Sequence, residues 1–263
     1  IVDINNGLAP MCLRVNRRRT TPEQYLTRLQ AAGIAARPVA YEALILETPC
    51  RVEKLPGFLQ GEVSVQDAGA QRAAHYLDAK EGMRVLDACA APGGKSCHIL
   101  ELAKVNLTAL DVSSRRGKRI EENLRRLNLQ AEVVINDVSR FANSMIGGQS
   151  FDRILVDAPC SASGVVRRHP DIRWLRRETD LRGFAKTQAQ MLAALWPLLA
   201  KGGQLLYTTC SVFPEENTDV INDFQRVTPD AKLRPLERLE SGQILPNADE
   251  DGFYYALMQK GAP

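Results

Sequence analysis

From Met83 onward the chain alternates short apolar runs with helix-length segments, and this alternation constrains the fold more than any other feature. The apolar runs fall at 84–89, 107–112, 132–136, 152–157 and 204–209, and the helical segments near 95–103, 114–127, 185–200 and 215–226. A strand reached through a crossover helix lies parallel to the one before it, whereas a tight turn reverses direction. The pattern predicts an α/β domain with a mostly parallel sheet covered by helices on both faces. A last run at 252–258 predicts one more strand, with an antiparallel partner near 232–236.

Upstream the pattern differs. Residues 11–16 predict a strand, and Thr21-Pro22-Glu23 opens a helix with a cap residue, a proline and an acid, ended near Gly33. Extended runs follow at 38–47 and 62–66, and a helix over about 67–77 leads onward. A small α+β module over 1–75 is expected to precede the larger domain over 76–263, and 263 residues suffice for both cores.

Composition narrows the function classes. No apolar run reaches the ~18 to 20 residues of a membrane span, and the polar start at 3–7 is no signal peptide, so a cytoplasmic protein is expected. Ile1 stands where an initiator Met would, which points to sequence upstream. The six cysteines form no CxxC pair and no short cluster with histidine, so neither a metal site nor disulfides are expected. A net charge of +3 is too mild to name a partner, so placement must. Three basic clusters occur, at 17–19, 115–119 and 167–177. The last carries Arg167, Arg168, Arg173, Arg176 and Arg177 against one acid, Asp171, with His169 and Trp174 among them. Cations interleaved with an aromatic suit single-stranded nucleic acid.

Two cysteines directly follow apolar runs, Cys160 after the run at 152–157 and Cys210 after the run at 204–209. If those runs are neighbouring parallel strands, both thiols emerge at the carboxyl edge of one sheet, where open α/β folds bind ligands. Covalent chemistry is the reading this pairing supports. A cysteine ending a buried strand is more often a small core residue, and Cys12, Cys50 and Cys97 keep that reading.

The loop after the first run, Asp87-Ala88-Cys89-Ala90-Ala91-Pro92-Gly93-Gly94-Lys95-Ser96, sets the ligand class. Its glycines let backbone approach a ligand, and the helix that follows offers N–H groups to an anion. Gly94-Lys95-Ser96 imitates a nucleoside-triphosphate loop, but that loop needs glycine at position 89 and a donor where Pro92 has none. A dinucleotide fingerprint is also absent. Asp111 follows Gly93 by 18 residues, near the spacing of a ribose-binding carboxylate, and Asp137 ends the next run, in reach of an adenine amino group. A nucleoside without a pyrophosphate fits, and S-adenosyl-L-methionine matches all three positions in an architecture that is Rossmann-like.

These residues carry a resemblance. Residues 87–96, Asp157-Ala158-Pro159-Cys160-Ser161-Ala162-Ser163-Gly164, Arg168-His169-Pro170-Asp171 with Trp174, and Thr209-Cys210-Ser211 with Glu215-Glu216-Asn217 resemble the motifs of the Nop/Nol/Sun family of RNA cytosine-5 methyltransferases. The nearest type is the bacterial Fmu/Sun group that modifies 16S ribosomal RNA, and the likeness extends to Leu13-Arg14-Val15-Asn16 and Val65-Gln66-Asp67-Ala68. Asn136 stands where the family often has glycine, and the family's usual N-terminal NusB-like RNA-binding domain has no counterpart in these residues.

The resemblance implies a class I methyltransferase with a seven-stranded sheet, acting as a monomer on RNA, 16S rRNA first, with no metal. It implies Cys210 as the nucleophile at carbon 6 of cytosine, Cys160 assisting release, and Asp157 on the N3 and N4 edge of the base. It implies a cofactor site of Cys89, Ala90, Ala91, Pro92, Gly93, Gly94, Lys95, Asp111, Arg116, Asp137 and Asp157, Cys89 lending only its backbone. Some local cation is expected to lower the Cys210 pKa. A tRNA-directed member of the family and a non-catalytic RNA-binding assembly factor are the alternatives.

Overall fold

A computed structural model of the chain describes residues 1–237 and 239–261. After a first helical turn, α1 (Val2–Asn6), strand β1 (Met11–Val15) leads into helix α2 (Pro22–Ala31). Thr21 caps α2, its hydroxyl accepting from Gln24 N while the Gln24 side chain returns to the Thr21 backbone, and Pro22 sits where no N–H is needed. Strands β2 (Ala36–Pro38), β3 (Ala43–Leu46) and β4 (Val63–Val65) complete an antiparallel sheet in the order β2-β3-β1-β4. Tyr25 and Leu29 of α2 pack on Leu13, Val15 and Leu44, giving this unit its own core.

Helix α3 (Ala68–Leu77), capped by Asp67, connects this sheet to the larger one. Strand β5 (Arg84–Ala88) then alternates with helices: α4 (Gly94–Leu102), β6 (Asn106–Asp111), α5 (Ser114–Leu127), β7 (Glu132–Ile135), α6 (Val138–Ser144) and β8 (Phe151–Asp157). A short turn of helix, α7 (Ile172–Leu175), and the long α8 (Glu178–Leu195) precede β9 (Leu199–Thr209), α9 (Thr218–Val227), β10 (Ala231–Arg234), β11 (Gln243–Ile244) and β12 (Phe253–Lys260). The sheet runs β10-β12-β9-β8-β5-β6-β7, with β11 paired beside β12. Strands β9, β8, β5, β6 and β7 are parallel, as the sequence predicts, and β12 is antiparallel to β10, near the expected partner segment, and also to β9.

Along each central strand successive side chains enter opposite cores, so the strands read as unbroken apolar runs. Leu86, Ile154 and Leu205 face one core, and Val85, Leu155 and Leu206 the other. The expected helix over 185–200 begins earlier and ends at Leu195, because Pro197 cannot continue it and β9 starts at Leu199. The predicted helix at 215–226 starts later, after a 3₁₀ turn over Pro214–Glu216. Helix α6 went unforeseen, since its 7 residues are too few to show a period. Among the described residues no helix is long and apolar enough to cross a membrane.

The two sheets are bolted together. Arg14 of β1 reaches Glu101 of α4 through Nε and Nη2 at 2.9 and 2.7 Å, both side chains buried, and Arg126 of α5 donates to the carbonyls of Phe58 and Val63.

Candidate active site

The carboxyl edge of β5, β6, β7, β8 and β9 opens into a cavity of about 410 Å³ lined by Cys89, Ala91, Asp111, Asp137, Asp157, Cys160 and Cys210, with Arg116 at its rim. A wider depression of about 1220 Å³ lies at the opposite edge, beside the starts of β5, β6 and β7. Ligands of open α/β sheets bind at the carboxyl edge, and the thiols lie there, so the smaller cavity is the candidate.

The loop between β5 and α4 is shaped by its backbone conformation and by side chains from β6 and α5. Cys89 takes a left-handed φ of 64°, and Gly93 a φ of 96°. A Cβ on Gly93 would stand 3.2 Å from the Ile120 backbone, so glycine lets α4 approach α5. Asp111 is buried, with Oδ2 accepting from Ala91 N at 3.1 Å and Oδ1 from Ser113 N at 3.0 Å. Arg116 donates to the Ala91 carbonyl at 3.0 Å and lies 3.4 Å from Asp111. Asp111 thus orders the loop as well as lining the cavity. Asp137 caps α6, its Oδ1 accepting from Ser139 N and Arg140 N, which is the helix-cap role an isolated strand-end carboxylate often has.

Lys95 is no solvated helix-start residue. It is largely buried, and its Nζ meets Asp157 Oδ2 at 2.7 Å. The pair lies beside the thiols, whose sulfurs are 3.4 Å apart. The pairing of β8 with β9 accounts for this: Asp157 stands opposite Thr208, so Cys160 and Cys210 leave adjacent strands at one level. Gly164 donates to the Cys210 carbonyl at 2.8 Å, and a Cβ on it would come within 2.3 Å of the Gly252 carbonyl, so only glycine fits between them.

The expectation of a lowered Cys210 pKa is corrected. The hydrogen bond with Cys160, then burial, then the charge of Asp157 raise this thiol well above its ordinary value, and Lys95 acts in the opposite sense. Sequence reasoning missed the charge that faces Cys210 because Lys95 opens α4 and Asp157 ends β8, 62 residues apart in the chain. Glu216, which enters the sequence reading only as part of a motif, is fully buried beside both cysteine loops.

The basic segment is less free than its sequence implies. The Arg167 side chain is 3% exposed and donates to Asp251 at 2.5 Å. Arg168 pairs with the same carboxylate and, at 2.9 Å, with Asp67. Asp251 lies some eighty residues downstream, invisible to a local charge count. Arg173 donates to Asn6 Oδ1 at 2.8 Å and to the Asn5 carbonyl, and Arg176 Nε to the Ser161 carbonyl at 2.9 Å. His169 and Arg177 are exposed, and Trp174 is 87% exposed. The phosphate-gripping role expected of Arg167 and Arg168 meets two guanidiniums already held by carboxylates.

The site therefore sits on a Rossmann-like sheet, with two facing thiols and a carboxylate–ammonium pair at its carboxyl edge. The family model described as 16S rRNA methyltransferase RsmB/F matches residues 74–259, and one for the RsmF/B-like ferredoxin-like domain matches residues 1–53. The chain belongs to this RsmB/F family of methyltransferases. It is 49% identical to Ribosomal RNA small subunit methyltransferase B of Vibrio cholerae over 265 residues, covering 99% of this chain and 61% of that protein. The namesake of Serratia proteamaculans is 48% identical, covering 99% of this chain and 62% of that protein. The chain therefore spans about three fifths of the length of these curated relatives. Among solved structures, a methyltransferase homologue from Pyrococcus horikoshii superposes with a TM-score of 0.85 at 28% identity, over 99% of this chain and 89% of that one. NSun6 from the same organism, solved with SFG, shares the fold at 20% identity and a TM-score of 0.87, over 100% of this chain and 93% of that one.

Proposed function

We propose that this chain transfers a methyl group from S-adenosyl-L-methionine to carbon 5 of a cytosine in RNA, with 16S rRNA as the substrate and the cytoplasm as its place of work. The observation that carries the reading is the pair of thiols 3.4 Å apart on the wall of the strand-end cavity, next to the Lys95–Asp157 pair. The cavity suits the cofactor: three carboxylates, of Asp111, Asp137 and Asp157, favour a ligand that carries cationic, hydroxyl and amino groups, and Arg116 and the start of α4 suit its carboxylate. Bound there, the cofactor supplies an electrophilic methyl.

The protein's part follows from its residues. Cys210, as thiolate, adds to carbon 6 of cytosine, and carbon 5 becomes nucleophilic. Asp157 accepts from the N4 amino group and, as carbon 6 is attacked and N3 takes up a proton, from N3–H, with Lys95 holding the carboxylate in place. After methylation carbon 5 still carries its proton. Loss of that proton to water lets the C–H electron pair re-form the ring double bond as the bond from Cys210 to carbon 6 breaks and the sulfur leaves as thiolate, a release that Cys160 assists.

The test is methyl transfer from labelled cofactor to 16S rRNA and to tRNA, with bisulfite sequencing of the product. 5-Methylcytosine at one 16S position supports the proposal. Methylation of tRNA alone would move the substrate, and cofactor binding with no 5-methylcytosine in either RNA would favour the assembly-factor reading.

A further inference from the structure

The two thiols face one another across loops that leave different strands, and one buried side chain reaches both loops. Glu216 lies in the turn before α9, fully buried, and its oxygens meet the residues that directly follow the two cysteines. Oε1 accepts from the Ser161 backbone N at 2.7 Å, and Oε2 accepts from Ser161 Oγ at 2.5 Å and Ser211 Oγ at 2.6 Å. Gln188 of α8 adds a longer contact to Oε1 at 3.4 Å while donating to the Pro159 carbonyl at 2.9 Å. The clamp is itself anchored, because the Tyr207 hydroxyl of β9 donates to the Glu216 carbonyl at 2.6 Å.

We infer that Glu216 is a positioning residue whose single carboxylate ties the Cys160 loop to the Cys210 loop and so sets the separation of the two thiols. The inference rests on the thiol chemistry proposed above. All four donors are neutral, so the carboxylate is held by directional hydrogen bonds, and charge-assisted bonds of this kind are about twice as strong as neutral ones. Each serine is one residue from its thiol, so a loop cannot drift without breaking a bond to Glu216. Such precision matters, since a misplacement of about 1 Å can lower a rate by about 10²-fold.

Two readouts test it. In ligand-free protein the rate at which diamide oxidises Cys160 and Cys210 to a disulfide, being itself reduced to the hydrazine, reports how often the thiols meet. In the Cys160→Ala background, the rate of covalent attachment to 16S rRNA reports how well Cys210 is aimed. Glu216→Ala is expected to slow both by about 100-fold with cofactor affinity unchanged. Glu216→Gln, which can accept from Ser161 N and donate to the serine hydroxyls, is expected to restore both to within about 10-fold of the parent. A purely structural role would instead show as lost cofactor binding, with no rescue by glutamine. If Glu216→Ala does not fold, the double variant Ser161→Ala/Ser211→Ala removes the hydroxyl arms and is compared in the same way. Parent-like rates in the folded alanine or double-serine variant overturn the clamp. If Cys160→Ala never traps RNA while the parent's cysteines still oxidise quickly, the proposed function fails, and the oxidation comparison alone decides the clamp.

Discussion

The thiol edge of the sheet and the arginine-rich segment at 167–177 are near in sequence and opposite in construction. At the edge every functional group is fixed from several sides: Cys160 touches Cys210, Asp157 is held by Lys95, and the loops are tied at Ser161 and Ser211. In the segment, rigid and free groups alternate. Arg167 and Arg168 are locked on Asp251, whereas Trp174 projects into solvent and Arg177 is exposed. The difference teaches that the proposed catalytic pair has its geometry built in, while the proposed RNA-binding segment combines a firm base with a few exposed side chains.

The sharpest way to break the comparison is to remove one thiol at a time. Cys210→Ala is expected to abolish methylation and form no adduct, whereas Cys160→Ala methylates once and stays attached to RNA. Denaturing electrophoresis with labelled 16S rRNA separates the outcomes. A slow-migrating complex for Cys210→Ala would exchange the two roles.

Next in size is the base of the basic segment. Asp251 is fully buried and pairs with both Arg167 and Arg168, so Asp251→Ala leaves the buried Arg167 guanidinium without a carboxylate while Arg168 keeps Asp67, and is expected to lower stability by about 3 to 5 kcal/mol. Arg177→Ala, at an exposed site, is expected to stay within about 0.5 kcal/mol of the parent. Urea denaturation checks both, and equal effects would dissolve the distinction between locked and free arginines.

Legibility in the sequence divides along the same line. The convergence of Cys160 and Cys210 could be foreseen because parallel strands carry their ends to one edge, a rule that needs only the position of each apolar run. The fold was legible for the same reason, down to the antiparallel pairing of β12 with β10. What could not be read was pairing across long separations. Lys95 meets Asp157 and Arg168 meets Asp67 only once the strands are ordered and the small sheet docks on the large one. Helix α6 was too short to announce itself, so Asp137 looked like a bare strand-end carboxylate when it also caps a helix.

At the edge itself, Asp111 carries two loads, ordering the cofactor loop through Ala91 N and lining the cavity. Asp111→Ala is expected to weaken binding of S-adenosyl-L-methionine by about 1.5 to 3 kcal/mol, or roughly 10- to 100-fold, measured by calorimetry. An unchanged affinity would remove it from the site. In the segment, Trp174→Ala is expected to lose about 1 to 3 kcal/mol of RNA affinity if one base stacks on the ring. Arg177→Ala should reduce the salt slope by about 1 with cofactor affinity unaltered. Filter binding across a salt series distinguishes these, and a slope indifferent to Arg177 would return the segment to an ordinary solvated face.

The smallest effect concerns how the segment's base responds to pH. Burial, followed by the charge of Asp251, pushes the Asp67 carboxyl up to about 6 from an ordinary 3.8, against the pull of Arg168. The folded state therefore binds a proton more tightly than the unfolded chain at this site. The contribution to stability is full below about pH 3.8 and is lost as pH rises through about 6. Asn at this position keeps the oxygen that accepts from Gly69 N but cannot ionise. The stability of the parent relative to Asp67→Asn is thus expected to decline between pH 4 and pH 7, by on the order of 1 kcal/mol. Urea titrations of the pair across that window supply the difference. A flat or rising difference would mean that Arg168 keeps Asp67 ionised throughout, making the base of the segment as firmly charge-paired as Arg167 on Asp251.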